Sequence, residues 1–374
     1  MSQTRIQRIQ ESIVDIDRKM TSRQREASKL YFEARKGDYN AANRLAEGIS
    51  TSDIPTLLTG AVNVDFLAQY ADQPIVWDQI AEEYTADTIG TIEFGGFDID
   101  PSSLPPVKDG EFYVGAGLPG VGEYDEYPAV KFTTEALEAD LRKNGVRLRV
   151  SFEAMIKSRN FDFIARSTAA FARYAAEQED ITLAKEFVST AGAINAGFTN
   201  LTGDPALSLA ALGDAKALSR QATVNGRRIN PRGFKLVTGS ALADTATDIL
   251  AIRNVSRTDG SDVYDIRPNN GDVTAVNFWA LDSVGGYTTP GATDNYWFLV
   301  PTGTARPAFI EAFLEGHRNP TVSIKDSDHF YLGGGAVPVR EGAFTDDSLE
   351  TRGRHIVKAT ALELAGVIES DGTP

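Results

Sequence analysis

Residues Glu135–Ile164 read EALEADLRKNGVRLRVSFEAMIKSRNFDFI, and two different periods meet inside them. Val146, Leu148, Val150 and Phe152 alternate with Arg147, Arg149 and Ser151, which is the period of a strand with one apolar and one polar face. Asn144-Gly145 just before it reads as a tight turn. From about Asn160 the period becomes helical and is expected to hold to Thr190. Ile164, Thr168, Phe171 and Ala175 share one face, Leu183 and Phe187 continue it, and Gly192 is the stop. About 30 residues at ~1.5 Å each give a rod of roughly 45 Å, long for a globular helix. A strand feeding such a rod predicts an α+β fold organised around one spine helix.

Charge changes sign along the same stretch. Residues 111–140 hold seven acids and one base, Lys131, whereas residues 141–159 hold six bases and one acid, Glu153. Two readings fit. Either the charges pair within the chain, for example Arg147 and Arg149 with a helix acid such as Glu177, or an acidic arm reaches a neighbour's basic strip.

Upstream, residues 51–130 combine many Gly and Pro with Phe66, Tyr70, Trp77, Tyr84, Phe94, Phe97, Phe112 and Tyr113. Gly and Pro break regular elements. A disordered linker is poorer in aromatics. The expectation is an extended segment that buries its rings against another surface. Residues 1–50 read as short helices: Ile6, Ile9, Ile13, Ile16 and Met20 form a seam, Ser22 caps a second helix that stops at Gly37, and a third runs from about Tyr39 to Gly48. Helices this short need partners, on their own body or between subunits.

Downstream, elements become short and mixed. A helix is expected near 208–222, a strand at 234–238 and a helix near 241–252. Strands follow at 273–280, 296–300, 308–314, 320–325 and 355–364. The 374 residues suit two to three structural units.

Composition excludes much chemistry. There is no Cys, hence no disulfide, thiolate metal site or Cys nucleophile. His317, His329 and His355 match no metal spacing and read as surface or structural residues. Gly115-Ala-Gly117-Leu-Pro-Gly120 matches a dinucleotide fingerprint, but Pro119 lies inside it and no helix start follows, so it reads as a loop tip. Asp259-Gly-Ser-Asp262 and Asp326-Ser-Asp328 lack calcium-loop spacing and read as turns. No cofactor, metal or catalytic residue is expected, nor a membrane span or a secretory leader. The net charge of -15 argues against sequence-specific DNA reading, yet residues 1–50 carry ten Lys and Arg against seven Asp and Glu.

Lys143-Asn-Gly145, the alternating Val146–Val150, Ser151-Phe-Glu153 and Asp162 before the long helix occur here in the order found in tailed-bacteriophage major capsid proteins. The chain resembles that family, whose fold is shared with encapsulins and the herpesvirus capsid floor. The resemblance implies a helical N-terminal arm over 1–50, scaffold-like, and an extended N-arm over 51–106. It implies a protruding β-hairpin loop over 107–150. A peripheral domain carrying the spine helix would follow over 151–203 and 302–358, with an axial domain over 204–301 and 359–374. It implies a non-enzymatic shell subunit that self-assembles into hexamers and pentamers of an icosahedral head. The head would enclose double-stranded DNA, bound without sequence preference, and portal, scaffold or decoration proteins would be further partners. The location would be the virion, after assembly in the host cytoplasm. The alternative is an encapsulin-like nanocompartment shell. Candidate intersubunit contacts are Glu123, Asp125 and Glu126 on the loop, beside Tyr124 and Tyr127, against Arg147 and Arg149 on the strand.

Overall fold

The computed structural model describes residues 2–36, 38, 40–41, 44, 54–99, 132–151, 160–224, 227–259, 262–266, 268–325, 332 and 348–372. Helices α1 (Ser2–Lys19), α2 (Ser22–Arg35) and α3 (Ile54–Ala71) come first, then strands β1 (Glu82–Ala86), β2 (Gly90–Ile99), β3 (Phe132–Leu141) and β4 (Lys143–Ser151). The long helix α4 (Asn160–Phe187) follows, then β5 (Thr199–Asn200), α5 (Leu209–Gln221) and the small pair β6 (Thr223–Val224) and β7 (Arg227–Arg228). Next are β8 (Gly233–Thr238), α6 (Ala243–Ala251), the pair β9 (Val255–Asp259) and β10 (Asp262–Ile266), β11 (Val273–Asn277) and α7 (Trp279–Gly285). The chain closes with β12 (Trp297–Thr302), β13 (Phe309–Leu314), β14 (Thr321–Ile324), β15 (Ser348–Ala361) and β16 (Ile368–Ser370).

The chain divides into two compact units, neither contiguous in sequence. The first comprises Met1–Ile75, Arg142–Glu179 and Phe313–Val357; the second comprises Val76–Leu141, Asp180–Ala312 and Lys358–Pro374. The division passes through α4 after Glu179.

In the first unit, one face of α1 closes a helical core. Ile9 is buried, with Ile13 and Ile16 half-buried, against Phe66, Leu67 and Tyr70 of α3, Phe171, Ala172, Ala175 and Ala176 of α4, and Val322 of β14. The alanines of α4 leave room for the neighbouring helix to approach. Thr21 caps α2, its hydroxyl accepting from the Gln24 amide while the Gln24 side chain accepts from the Thr21 amide. The Tyr31 hydroxyl of α2 donates to Asp65 of α3 at 3.1 Å. β15 pairs antiparallel with β4 on one side and β14 on the other.

Three sequence expectations need correction here. Ser22 is the first helical residue of α2 and not its cap, which is Thr21. Residues 54–71 lie within the stretch expected to be an extended N-arm, yet they form α3, which carries Phe66 and Tyr70 into the core. Pro55 stands in its first turn, where no intrahelical amide bond is lost. Asn144-Gly145 is no turn either. Both lie inside β4, opposite His355 and Arg354, and the Asn144 side-chain amide donates to the Val357 carbonyl at 3.1 Å. Gly145 is needed because a Cβ there would sit 2.6 Å from the Gly353 carbonyl oxygen. The third N-terminal helix, expected at 39–48, lies largely outside the described residues.

The second unit is built on a five-stranded sheet in the order β11-β8-β12-β16-β5. β8 and β11 are parallel, joined through α6, and β12 runs antiparallel to β8 and β16. Trp297 to Val300 are all buried, as a central strand covered on both faces requires. Leu212 and Ala215 of α5 and Ala246 and Ile249 of α6 pack in one core with Phe234, Leu236, Trp297 and Leu299. A second, aromatic cluster gathers Phe187, Phe198, Phe278, Phe298 and Phe309, with the Phe187 and Phe309 rings stacked at 4.4 Å between centroids. Asp180 is fully buried and accepts from the amides of Val76 and Trp77 and from the indole of Trp279. β2 and β3 pair as a ribbon of ten residue pairs, Gly90 opposite Leu141 through Ile99 opposite Phe132.

Candidate functional site

The residues expected to matter sit on β4 and the segment before it. β2 and β3 form a two-stranded sheet of their own. Two strands alone bury little apolar face, and here the base of the ribbon is buried within the chain, at Ile92 and Leu141. The acids Glu123, Asp125 and Glu126 lie outside the described residues, as do the Gly115–Gly120 motif and most of the loop expected at 107–150.

β4 shows solvent on both faces. Val146 and Leu148 are exposed large apolar residues on one face. On the other, Arg147 and Arg149 keep 65% and 48% of their side chains exposed. Glu350 of β15, directly opposite Arg149, lies 3.4 Å from its guanidinium and 3.7 Å from that of Arg147. The Arg149 Nε also donates to the Ser348 hydroxyl at 2.8 Å. Each arginine thus has an intrachain carboxylate, and it is Glu350 rather than Glu177. Glu177 is taken up by Arg173 one turn earlier, at 3.3 Å.

Two further cations join this face. Residues opposite each other in an antiparallel pair point the same way. Arg147 faces Arg352 and Gly145 faces Arg354, so Arg147, Arg149, Arg352 and Arg354 share one surface with the single acid Glu350 between them. Sequence reasoning missed Arg352 and Arg354. The signal was present in Glu350-Thr-Arg-Gly-Arg354, charges on alternate positions, but the register that brings it beside β4 is not local.

A buried polar cluster lies within the first unit. Glu179 of α4 is fully buried, accepts from the Tyr70 hydroxyl, and lies 2.8 Å from His355 Nε2. Arg318 is 3.8 Å from the same carboxylate and stacks over the Phe313 ring. His355 therefore ties β15 to α4, a structural role, while His317 is exposed and His329 lies outside the described residues. Asp259 and Asp262 are opposed at the end of the antiparallel β9–β10 pair. Among the described residues no group of His, Cys, Asp and Glu is placed to hold a metal ion, and no helix is long and apolar enough to cross a membrane.

A family model described as phage capsid protein matches residues 133–370, well over half of the chain. Three solved structures are among those that match. The capsid of Myoviridae phage XM1 is 10% identical, covers 79% of this chain and 91% of its own, and has a TM-score of 0.49. A structure from Mycobacterium phage Che8 is 16% identical over 79% of this chain and 90% of that one, with a TM-score of 0.41. A virus-like particle from Pyrococcus furiosus is 8% identical over 82% and 96%, with a TM-score of 0.42. No curated protein matches the sequence.

Proposed function

The chain belongs to the phage capsid protein family and is a major capsid protein, and from that premise we propose that its copies close into hexamers and pentamers of an icosahedral head around double-stranded DNA. The role is structural, the energy of function lying in contacts between copies and not in a reaction. One observation within the chain carries this reading: the β2–β3 ribbon, two-stranded among the described residues, leads directly into β4, whose apolar and cationic faces are both open to solvent. Elements of that kind are completed by a neighbour. Glu123, Asp125 and Glu126 of one copy are proposed to meet Arg147 and Arg149 of the next, with Arg352 and Arg354 widening the target. Portal, scaffold or decoration proteins would be further partners. Assembly in the host cytoplasm would precede residence in the virion.

Negative-stain microscopy of the expressed full chain tests the proposal. Closed shells, tubes or rings are the expected result. Monomers at every concentration would overturn it. Shells that co-purify with a dedicated enzyme and hold no nucleic acid would point to a nanocompartment instead.

A further inference from the structure

The apolar seam of α1 is spent inside its own chain. Ile9 and Met20 are buried, and Ile13 and Ile16 are half-buried against the core that holds Ile9. The Ser12 hydroxyl accepts from the Asn319 side-chain amide, just before β14, at 2.9 Å. α2 is fixed in the same manner. Tyr31, 1% exposed, donates to Asp65, itself 2% exposed, and Ala34 is buried beside them in sequence. An arm kept for a neighbouring copy would leave its seam uncovered until that neighbour arrived. Of the large apolar residues of α1, only Ile6 and Val14 are exposed. Lifting α1 away would bare Phe66, Tyr70 and Phe171, three buried rings of the same core, and return their area to water.

That core also sets the height of the strand that faces neighbours. Phe171 of α4 lies against β15 at Gly353, where an added Cβ would come 3.0 Å from its ring. Gly353 pairs with Val322 of β14 on one side and with Val146 of β4 on the other. Residues directly opposite share a face of the sheet, so Val322, Gly353 and Val146 form one row on the side of Phe171. Val322 is buried in the same core as Ile9 and Phe171. Burial runs out along the row, from 6% exposure at Val322 to 51% at Val146. β4 is thus carried by β15, and β15 rests on Phe171. The contacts from Ile9 through Phe171 and Gly353 to Val146 all lie within the first unit.

We infer that α1 and α2 form a resident clamp, docked on α3 and α4 in the finished shell as in the free subunit, and that through Phe171 and β15 the clamp holds β4 where a neighbour can meet it. The action on neighbours rests on the shell reading above; the docking does not. A segment that guides assembly and then departs needs a seat it can leave without harm. The seat of α1 is the hydrophobic core of its own subunit.

A cut in the chain tests the seat. A specific protease site is inserted between Arg44 and Ile54 of the full chain, the unassembled protein is cleaved, and both pieces are followed by size exclusion. The piece carrying α1 and α2 should travel with the body and separate only in denaturant. Its loss from a body that stays folded by circular dichroism overturns the clamp. Retention is read before assembly, so a chain that forms no shells defeats the shell reading and leaves this result standing. The link to β4 is tested by fitting sizes. Gly353→Ala presses a methyl group on the Phe171 ring and should lower the assembled fraction by roughly threefold or more, read by light scattering. Phe171→Leu in the same chain frees the space and should restore assembly. Hydrogen exchange should become roughly tenfold faster over residues 143–151 in Gly353→Ala and in Ile9→Asp, with residues 233–238 of the second unit unchanged. Should Ile9→Asp unfold the chain, Ile9→Ala replaces it, with about a threefold change expected. A role confined to core stability would speed exchange in α3 and α4 and leave β4 as it was. Exchange of β4 at the unaltered rate, or no rescue by Phe171→Leu, overturns the link.

Discussion

Two glutamates show opposite ways of burying a carboxyl group. Glu179 is surrounded by donors, so removing one leaves a buried acceptor short. Tyr70→Phe is expected to destabilise the chain by about 1–3 kcal/mol, read as a lower midpoint in chemical denaturation. Glu179→Ala would strand His355 and Arg318 and cost more, about 3–5 kcal/mol. An unchanged midpoint for Tyr70→Phe would mean the hydroxyl contributes nothing. Glu369 instead sits among like charges, and its carboxyl is held above the ordinary value of 4.5. A raised carboxyl binds its proton more tightly in the folded chain than in the unfolded one. The stability it contributes is therefore fully present below the unfolded pKa and is lost as pH rises through the folded pKa. The melting temperature should fall across that window, and Glu369→Gln should flatten the fall and melt higher at neutral pH. The same slope in both chains would exclude Glu369 as its source.

At the scale of elements, β4 separates stability from assembly. Its arginines are half-exposed or more, and exposed pairs are worth about 0–1 kcal/mol. Arg147→Glu with Arg149→Glu should barely move the melting temperature of the isolated chain yet depress assembly, and reversing Glu123, Asp125 and Glu126 to Lys should partly restore it. A large loss of melting temperature without rescue would assign the arginines to Glu350 alone. α1 behaves in the contrary way. Ile9 is 1% exposed within the helical core, so Ile9→Ala should cost about 2–5 kcal/mol in the subunit itself. The seam expected from Ile6 to Met20 was legible because helical spacing is local. Only part of it is used: Ile9 and Met20 are buried, whereas Ile6 stays exposed. The long helix, the strand at 146–150 and most later strands were legible for the same reason. α3 was hidden by Pro55 and Gly60 inside it, which mask a run whose Phe66, Leu67 and Tyr70 have helical spacing. Arg352, Arg354 and Glu350 were hidden because only the pairing of β15 with β4, about 200 residues apart, gives them meaning. The acidic half of the proposed contact rests on its sequence.

For the whole molecule, net charge and local contacts pull in different directions. Copies bearing -15 repel at long range. The pairs proposed at the interfaces act over a few ångströms. Screening falls from a length of ~10 Å at 0.1 M to ~3 Å at 1 M, so it removes the repulsion before the contacts. Assembly followed by light scattering should rise from very low salt to an optimum and then decline toward 1 M. A continuous rise would mean that apolar contacts dominate.

The discontinuity of the two units also sets a timetable for synthesis. The first unit needs Val322 and His355 to finish the core that Ile9 and Tyr70 begin, and the second needs Ile368 to flank β12. At roughly 5–20 residues per second, the N-terminal helices must wait for on the order of ten seconds or more before their partners leave the ribosome. Neither unit can mature behind the growing chain as an ordinary N-terminal domain does. A nascent copy is thus withheld from its siblings until nearly all of it has been made, and the order in which the polypeptide is threaded acts as a clock against premature polymerisation on polysomes.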